Sequence, residues 1–359
     1  MTILNLNKHP RAIPYISSIL PGGENVYTIA DVGARGGIAP MWKPLTQWAN
    51  FIGFDPDENE CANLNRLFDR VTFYPVALHD HDGEDKFCVT RSPFCHGHFG
   101  VNKSYYGRFP SYPINEVLNE QTMKYNTFDK FADQYELGHV DFIKIDTEGS
   151  ELAVLRGAKG SLESRQVIGV LSELWWDPHI KNQPSFAEMD IFLREAGFFL
   201  FDIVTHRYPR STLPIGHLVL SKIEGTLHVS APKWNEHGQI LTGDALYLRD
   251  PIVDLSGPNP SPFKWDDVSI LKMIALLDMF NYSDAAIELA GFYRSRFVVP
   301  VDVDALLDLL VPVLETEDGT EIILTFDEYH QWSRRVYMDR TPMPLHIQKE
   351  ASEKTPPGQ

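Results

Sequence analysis

Residues 31–37 read Asp-Val-Gly-Ala-Arg-Gly-Gly at the end of a short apolar run, and Asp55 stands 22 residues after Gly33 within Phe54-Asp55-Pro56-Asp57. Glycines after a first strand let the backbone turn tightly and approach a ligand, and the next helix offers free N–H groups. An acid closing the second strand can accept both hydroxyls of a ribose. Either feature alone is weak, since glycines mark any tight turn; together they describe a nucleotide-type loop. No Gly-Lys-Ser/Thr ending follows, which excludes a P-loop, and GxGxxG is not matched, which disfavours a dinucleotide.

Gly33 and Gly37 with Asp31 before them suit a cofactor whose amino-acid end lies over the turn, a shape that S-adenosylmethionine has. A second set of acids lies in Lys144-Ile145-Asp146-Thr147-Glu148-Gly149-Ser150-Glu151. Open α/β sheets bind ligands at their carboxyl edge. Methyl transfer from a sulfonium needs an in-line approach and a group that takes the proton of a hydroxyl acceptor. Asp146 is the expected acid nearest that centre, its pKa raised by burial and neighbouring acids. Glu148 reads as a packing or capping group, and Glu151 as a surface or capping-box-like residue. Lys144 falls on the same side of the strand as Asp146, as a site residue or an ion-pair partner. Glu173 is a second candidate base, or an acid satisfied by backbone amides. Trp175 and Trp176 read equally as stacking platforms and as core.

His79, His81, His96 and His98 cluster around Phe94-Cys95-His96-Gly97-His98-Phe99. They could converge on a divalent ion, which needs three or four ligands; the favoured reading is a polar, aromatic-rich loop over the site, with no metal assigned. His98 is kept as a candidate general base because an imidazole titrates near neutrality. Asn102 to Tyr112 reads as a substrate lid, with Tyr105, Tyr106 and Arg108 for stacking and anion contacts.

These residues need strand ends to hold them. From 26 to 250 short β-branched runs alternate with helical patterns, the mark of strand–helix–strand units around a parallel sheet. Strands are expected at Tyr27–Val32, Phe51–Asp55, Val71–Ala77, Val140–Asp146, Val167–Leu174, Phe198–Val204 and Ala245–Leu248. Helices are clearest at Glu148–Gly157 and Ser185–Ala196. Arg207 to Thr242 reads as a long excursion of the kind that carries substrate contacts. The Pro/Gly/Ser-rich stretch after Asp250 is expected to be a linker, followed by a unit of helices only, from Trp265, Tyr282, Val301 and Phe326, with Ser283 and Asp284 as an N-cap and first turn. The expected division is an extension (1–25), a catalytic domain (26–253), a helical domain (254–345) and a disordered tail (346–359).

With 359 residues, 43% apolar, and a net charge of −17, the chain is globular rather than disordered. The acidity argues against nucleic acid or an anionic membrane as partner. Nine acids and no Lys or Arg fall between 301 and 330, so −9 of the −17 sits in thirty residues of the last unit, and the acidity says little about the pocket. Three cysteines without a CxxC pair indicate no disulfide framework, and with no secretory signal or membrane-length apolar run the expected location is cytoplasmic.

The motifs DVGARGG, FDPD, VALHDHDGEDKF (76–87) and DFIKIDTEGSELAVLRGA (141–158) resemble the FkbM family of S-adenosylmethionine-dependent methyltransferases, over roughly residues 26–204. The resemblance implies a Rossmann-like α/β methyltransferase sheet with an antiparallel last strand, and methyl transfer to a hydroxyl of a sugar, glycan or natural product. By position, Asp31, Gly33, Ala34 and Gly37 would hold the methionine end, Asp55 the ribose, and Ala77 with Leu78 the adenine, with Asp146 nearby. Where the family favours Asn this chain has Arg35, which either binds the cofactor carboxylate or points away. An N- or protein-directed methyltransferase and a non-catalytic adaptor remain as rivals. A homo-oligomer or protein partner would be met through an apolar face of the helical domain.

Overall fold

The computed structural model describes residues 5–21, 26–176, 183–214, 218–223, 226–232, 238–257 and 263–339. The first half runs α1 (Ala12–Ile19), β1 (Tyr27–Val32), β2 (Ala49–Phe54), α2 (Glu58–Leu67), β3 (Val71–Tyr74), β4 (Ala77–Leu78), β5 (Gly83–Thr90), α3 (Lys103–Tyr106), α4 (Tyr112–Asn115), β6 (Val117–Asn126) and α5 (Phe128–Gln134). It continues with β7 (Phe142–Ile145), α6 (Glu151–Gly157), α7 (Lys159–Ser164), β8 (Gly169–Trp175), α8 (Phe186–Glu195), β9 (Phe199–Tyr208), β10 (Leu218–Ile223), β11 (Thr226–Pro232) and β12 (Gln239–Leu248). Helices α9 (Pro251–Ser256), α10 (Asp267–Met279), α11 (Ser283–Tyr293), α12 (Val303–Leu310) and α13 (Phe326–Asp339) follow.

Seven strands form one sheet in the order β3-β2-β1-β7-β8-β12-β9. All neighbours are parallel except β12, which runs antiparallel between β8 and β9. The chain therefore has the expected Rossmann-like α/β sheet, mostly parallel with its last strand reversed. Strand order changes direction between β1 and β7, so their carboxyl ends lie side by side, with Asp31 opposite Lys144 and Val32 opposite Ile145.

A largely parallel sheet must be buried on both faces. Ala30, Val32, Phe54, Ile143, Ile145 and Tyr247 pack on one side with Phe128, Phe131, Val154, Leu155, Leu162 and Leu193 from α5 to α8. On the other side Tyr27, Ile29, Phe51, Phe142, Leu171 and Leu246 share a core with α1 and with Ile270, Ile274, Leu277, Leu289, Leu306 and Leu310 of α10 to α12. The connection from β1 to β2 holds only a 3₁₀ turn at Pro40–Leu45. That face is therefore covered from both ends of the chain.

The expected separation of residues 254–345 is corrected on this point: their described part has no core of its own and forms the second helical layer. Lys272 of α10, buried, lies 2.8 and 2.9 Å from the two carboxylate oxygens of Asp141 at the start of β7. Apolar residues of α10 to α12 pack into the shared core. The unit is also not helices only, since β13 (Leu314–Glu315) pairs with β14 (Glu321–Ile322). Tyr282, not Ser283, is the N-cap of α11, with Asp284 in its first turn. The proposed tail falls outside the described residues.

Two further differences shape the site. The strand expected over 71–77 stops at Tyr74, because Pro75 has no N–H for the ladder. Ala77–Leu78 instead joins a separate three-stranded sheet, β4-β6-β5, which sequence patterning did not reveal. The excursion after 207 contains the β10–β11 hairpin. Among the described residues no helix is long and apolar enough to cross a membrane.

Candidate active site

Gly33 has φ +83°, and a Cβ placed there would lie 1.8 Å from the carbonyl oxygen of Asp146. The turn after β1 thus presses against the end of β7. The N–H groups of Gly33 and Ala34 both donate to the Phe54 carbonyl at 2.9 Å, tying the turn to β2 as well. Ala34 is buried in a small core with Cys61, Leu64 and Phe73. Gly37, at φ +104°, faces the Phe68 ring and Leu64. These two expected cofactor residues shape the loop and do not line the pocket.

A pocket of about 340 Å³ opens at the switch point. One wall is the end of the main sheet, from Val32, Gly33, Phe54, Asp55, Asp146, Thr147 and Glu148; the facing wall is the small sheet, from Ala77, Leu78, Phe87, Gln121, Met123 and Tyr125. Gln121, Met123 and Tyr125 alternate along β6, a period-two pattern through which the sequence signals this strand. Pro93, Phe94, His96, Gly97 and His98 complete the rim.

Asp55 is 4% exposed. Its Oδ1 accepts the Asp57 N–H at 2.8 Å and a guanidinium hydrogen of Arg35 at 3.3 Å. Burial raises the Asp55 carboxyl above its ordinary value, with the Asp57 N–H and Arg35 pulling it down. Arg35 also donates to Asp57 at 2.8 Å. It therefore lines the pocket without following either expectation: its charge is committed to the two acids after β2, one of which, Asp57, also caps α2.

Asp31 is 1% exposed and does not line the pocket. Lys144 lies 3.1 Å from it and 3.4 Å from Asp146, so the ion-pair reading of Lys144 holds. Burial raises the Asp31 carboxyl, opposed by Lys144. Burial by itself would lower the Lys144 ammonium, but Asp31 and Asp146 hold it above its ordinary value. Asp146 lines the pocket, yet its side chain is 45% exposed rather than buried, which removes the ground on which it was favoured as base.

Glu148 is half-buried, less exposed than Asp146. It sits in the left-handed region at φ +56° and lines the pocket. Burial, then Asp146 and Glu151, push its carboxyl well above the ordinary range. Glu151 is 3% exposed, not a surface residue: Oε1 accepts from Thr147 N, Thr147 Oγ1 and Gly149 N at 2.9, 3.2 and 3.0 Å, fixing the loop that presents Glu148. Helix α6 accordingly starts at Glu151 rather than at Glu148.

Glu173 lies outside this pocket, beside Glu151, Trp175 and Gln183. Burial and the surrounding acids raise its carboxyl too. His98 lines the pocket, but burial and His79 push its pKa down to about 4, a poor match for a base at neutral pH. The expected lid does not reach the pocket: Tyr106 and Phe109 are buried with Leu241, and Arg108 lies 5.9 Å from the Tyr105 ring. Trp175 is 6% exposed and Trp176 packs 5.9 Å from Phe186, so both serve as core.

The methyltransferase FkbM domain family matches residues 31–200. No curated protein sequence matches the chain. Among solved structures it is similar to the magnesium protoporphyrin IX methyltransferase of Synechocystis PCC 6803, at 9% identity over 67% of this chain and 79% of that one, TM-score 0.30. It is similar also to precorrin-6y C5,15-methyltransferase of Geobacter metallireducens GS-15, at 10% identity over 69% and 92% of the two chains, TM-score 0.32. The strand order and the glycine turn agree with the match of residues 31–200 to the methyltransferase FkbM domain family.

Proposed function

We propose that the protein is an S-adenosylmethionine-dependent methyltransferase acting on a hydroxyl of a small molecule, sugar or glycan. The observation that carries the cofactor is the charge of the pocket wall: Asp55, Asp57, Asp146 and Glu148 face a single guanidinium, that of Arg35. Such a set of acceptors suits a cationic sulfonium attached to a ribose. The two hydrogen bonds that Asp55 accepts among the described residues fall on Oδ1, leaving Oδ2 for the ribose hydroxyls. Val76, Ala77 and Leu78 offer the apolar edge an adenine needs. When bound, the cofactor supplies an electrophilic methyl group.

A hydroxyl acceptor must lose its proton as it attacks. Glu148, at the pocket wall with a raised pKa, is the group we assign to take it; Lys144 pairs with Asp146 and holds the strand end in place. Calorimetric titration should give saturable binding of S-adenosylmethionine, weakened by Asp55→Ala. Absence of binding at millimolar cofactor would sink the reading. Transfer of labelled methyl to hydroxylated acceptors, with the methylated atom located by NMR, tests the acceptor class; a methyl found on nitrogen would overturn it.

A further inference from the structure

We propose that His79, Asp80 and His81 bind one divalent first-row transition-metal cation at the corner between β4 and β5. Nδ1 of His79 lies 2.8 Å from Oδ1 of Asp80, Nδ1 of His81 lies 3.0 Å from the same oxygen, and the two Nδ1 atoms are 3.1 Å apart. Both ring N–H groups can donate to the one carboxylate oxygen, and the same convergence of two nitrogens and an oxygen lets a cation take the place of those two protons. A cation above the triangle is attractive to all three atoms.

The dimensions fit such an ion. Two octahedral ligands at about 2.1 Å from a metal are √2 times that apart, about 3.0 Å, whereas tetrahedral ligands would be about 3.4 Å apart. The three separations match one face of an octahedron, leaving three positions for water. Two imidazoles and one carboxylate select borderline first-row cations over Mg²⁺ or Ca²⁺, which prefer oxygen.

The surroundings hold the ligands in place. His79 is 6% exposed; its N–H donates to Asn126 O at 3.0 Å, and Gly157 of α6 packs so closely that a Cβ there would lie 2.1 Å from the His79 carbonyl. His81, 38% exposed, opens the corner to solvent. Asp85 Oδ2 lies 3.7 Å from Nε2 of His81, placed to orient the ring from behind. Among the described residues no other group of three such side chains converges.

Tag-free protein dialysed against EDTA should take up one Co²⁺ per chain with visible d–d absorption, displaced by equimolar Zn²⁺ but not by a large excess of Mg²⁺. Asp80→Asn and His81→Ala, both at solvent-accessible positions, should abolish the band while leaving the circular dichroism spectrum unchanged, and Asp85→Asn should weaken uptake about tenfold. No stoichiometric uptake, or equal uptake by either ligand variant, overturns the site. Displacement by Mg²⁺ overturns the class of cation.

Discussion

A methyl group on Gly33 would lie 1.8 Å from the Asp146 carbonyl oxygen, at a φ of +83° that L-residues avoid. Gly33→Ala should therefore cost about 3 kcal/mol or more by denaturant melting, and it should spoil cofactor binding even where the chain stays folded. Glu148 has a separate signature. Its carboxyl is raised, so the proton-accepting form is lost as pH falls through that raised value, and the rate should fall on the acid side. Glu148→Gln should lower kcat by about 10² or more with cofactor affinity retained, and should flatten that acid limb. A pH–rate profile unchanged by the substitution would remove Glu148 as base. Asp55 was legible because spacing alone delivers an acid to a strand end. The choice between Asp146 and Glu148 was not. It is made by the left-handed turn at Glu148 and Gly149, which breaks strand alternation before α6 begins, and by three hydrogen bonds to Glu151 that close only in the folded loop.

Among the described residues, helix α10 meets the sheet through a charged contact of Lys272 with Asp141, whose second role is to accept the Thr28 N–H of β1 at 2.8 Å. Removing one partner of a buried pair strands the other, so Lys272→Met should cost about 3–5 kcal/mol, whereas Lys272→Met with Asp141→Asn should recover much of it. Helix α1 is tied to α10 by Asp278, which accepts from the N–H of Ala12 at 3.0 Å and from Asn7 at 2.7 Å. Burial raises the Asp278 carboxyl from 3.8 to about 6. A raised acid binds its proton more tightly folded than unfolded, so its contribution is fully present below about pH 4 and is lost as pH rises to about 6. Thermal melts of Asp278→Asn and the parent chain should therefore shift relative to each other by about 3 kcal/mol across that window, in the variant's favour at the higher pH. The approximate span of α10 was readable from local pattern, but its cap, the existence of α1 and the sheet face that α10 covers were not, since an apolar stripe does not name its partner.

At the scale of the whole molecule, one core joins both chain ends to the sheet, and this decides how the protein should unfold. A two-domain chain would melt in two steps. Here heat or urea should give a single transition by fluorescence and circular dichroism alike, and a chain ended at residue 253 should aggregate, because Tyr27, Phe51, Phe142 and Leu246 would lose their cover. A soluble, folded 1–253 fragment would show that α10 to α12 are dispensable. The change of composition after Asp250 was legible as a change of secondary structure. It was not legible as the second layer of the same sheet, because the missing helix between β1 and β2 is what leaves that face vacant, and an absence in one part of a chain says nothing of where its substitute lies.

Strand β12 separates β8 from β9, so β9 has no partner in the main sheet until Leu248 has been made. On the ribosome, the growing chain must therefore carry β8 as an open edge while about seventy further residues emerge, a state that invites pairing with another nascent chain. Closure of the sheet is deferred until β12 has emerged, and yield in a cell should rise with chaperone supply.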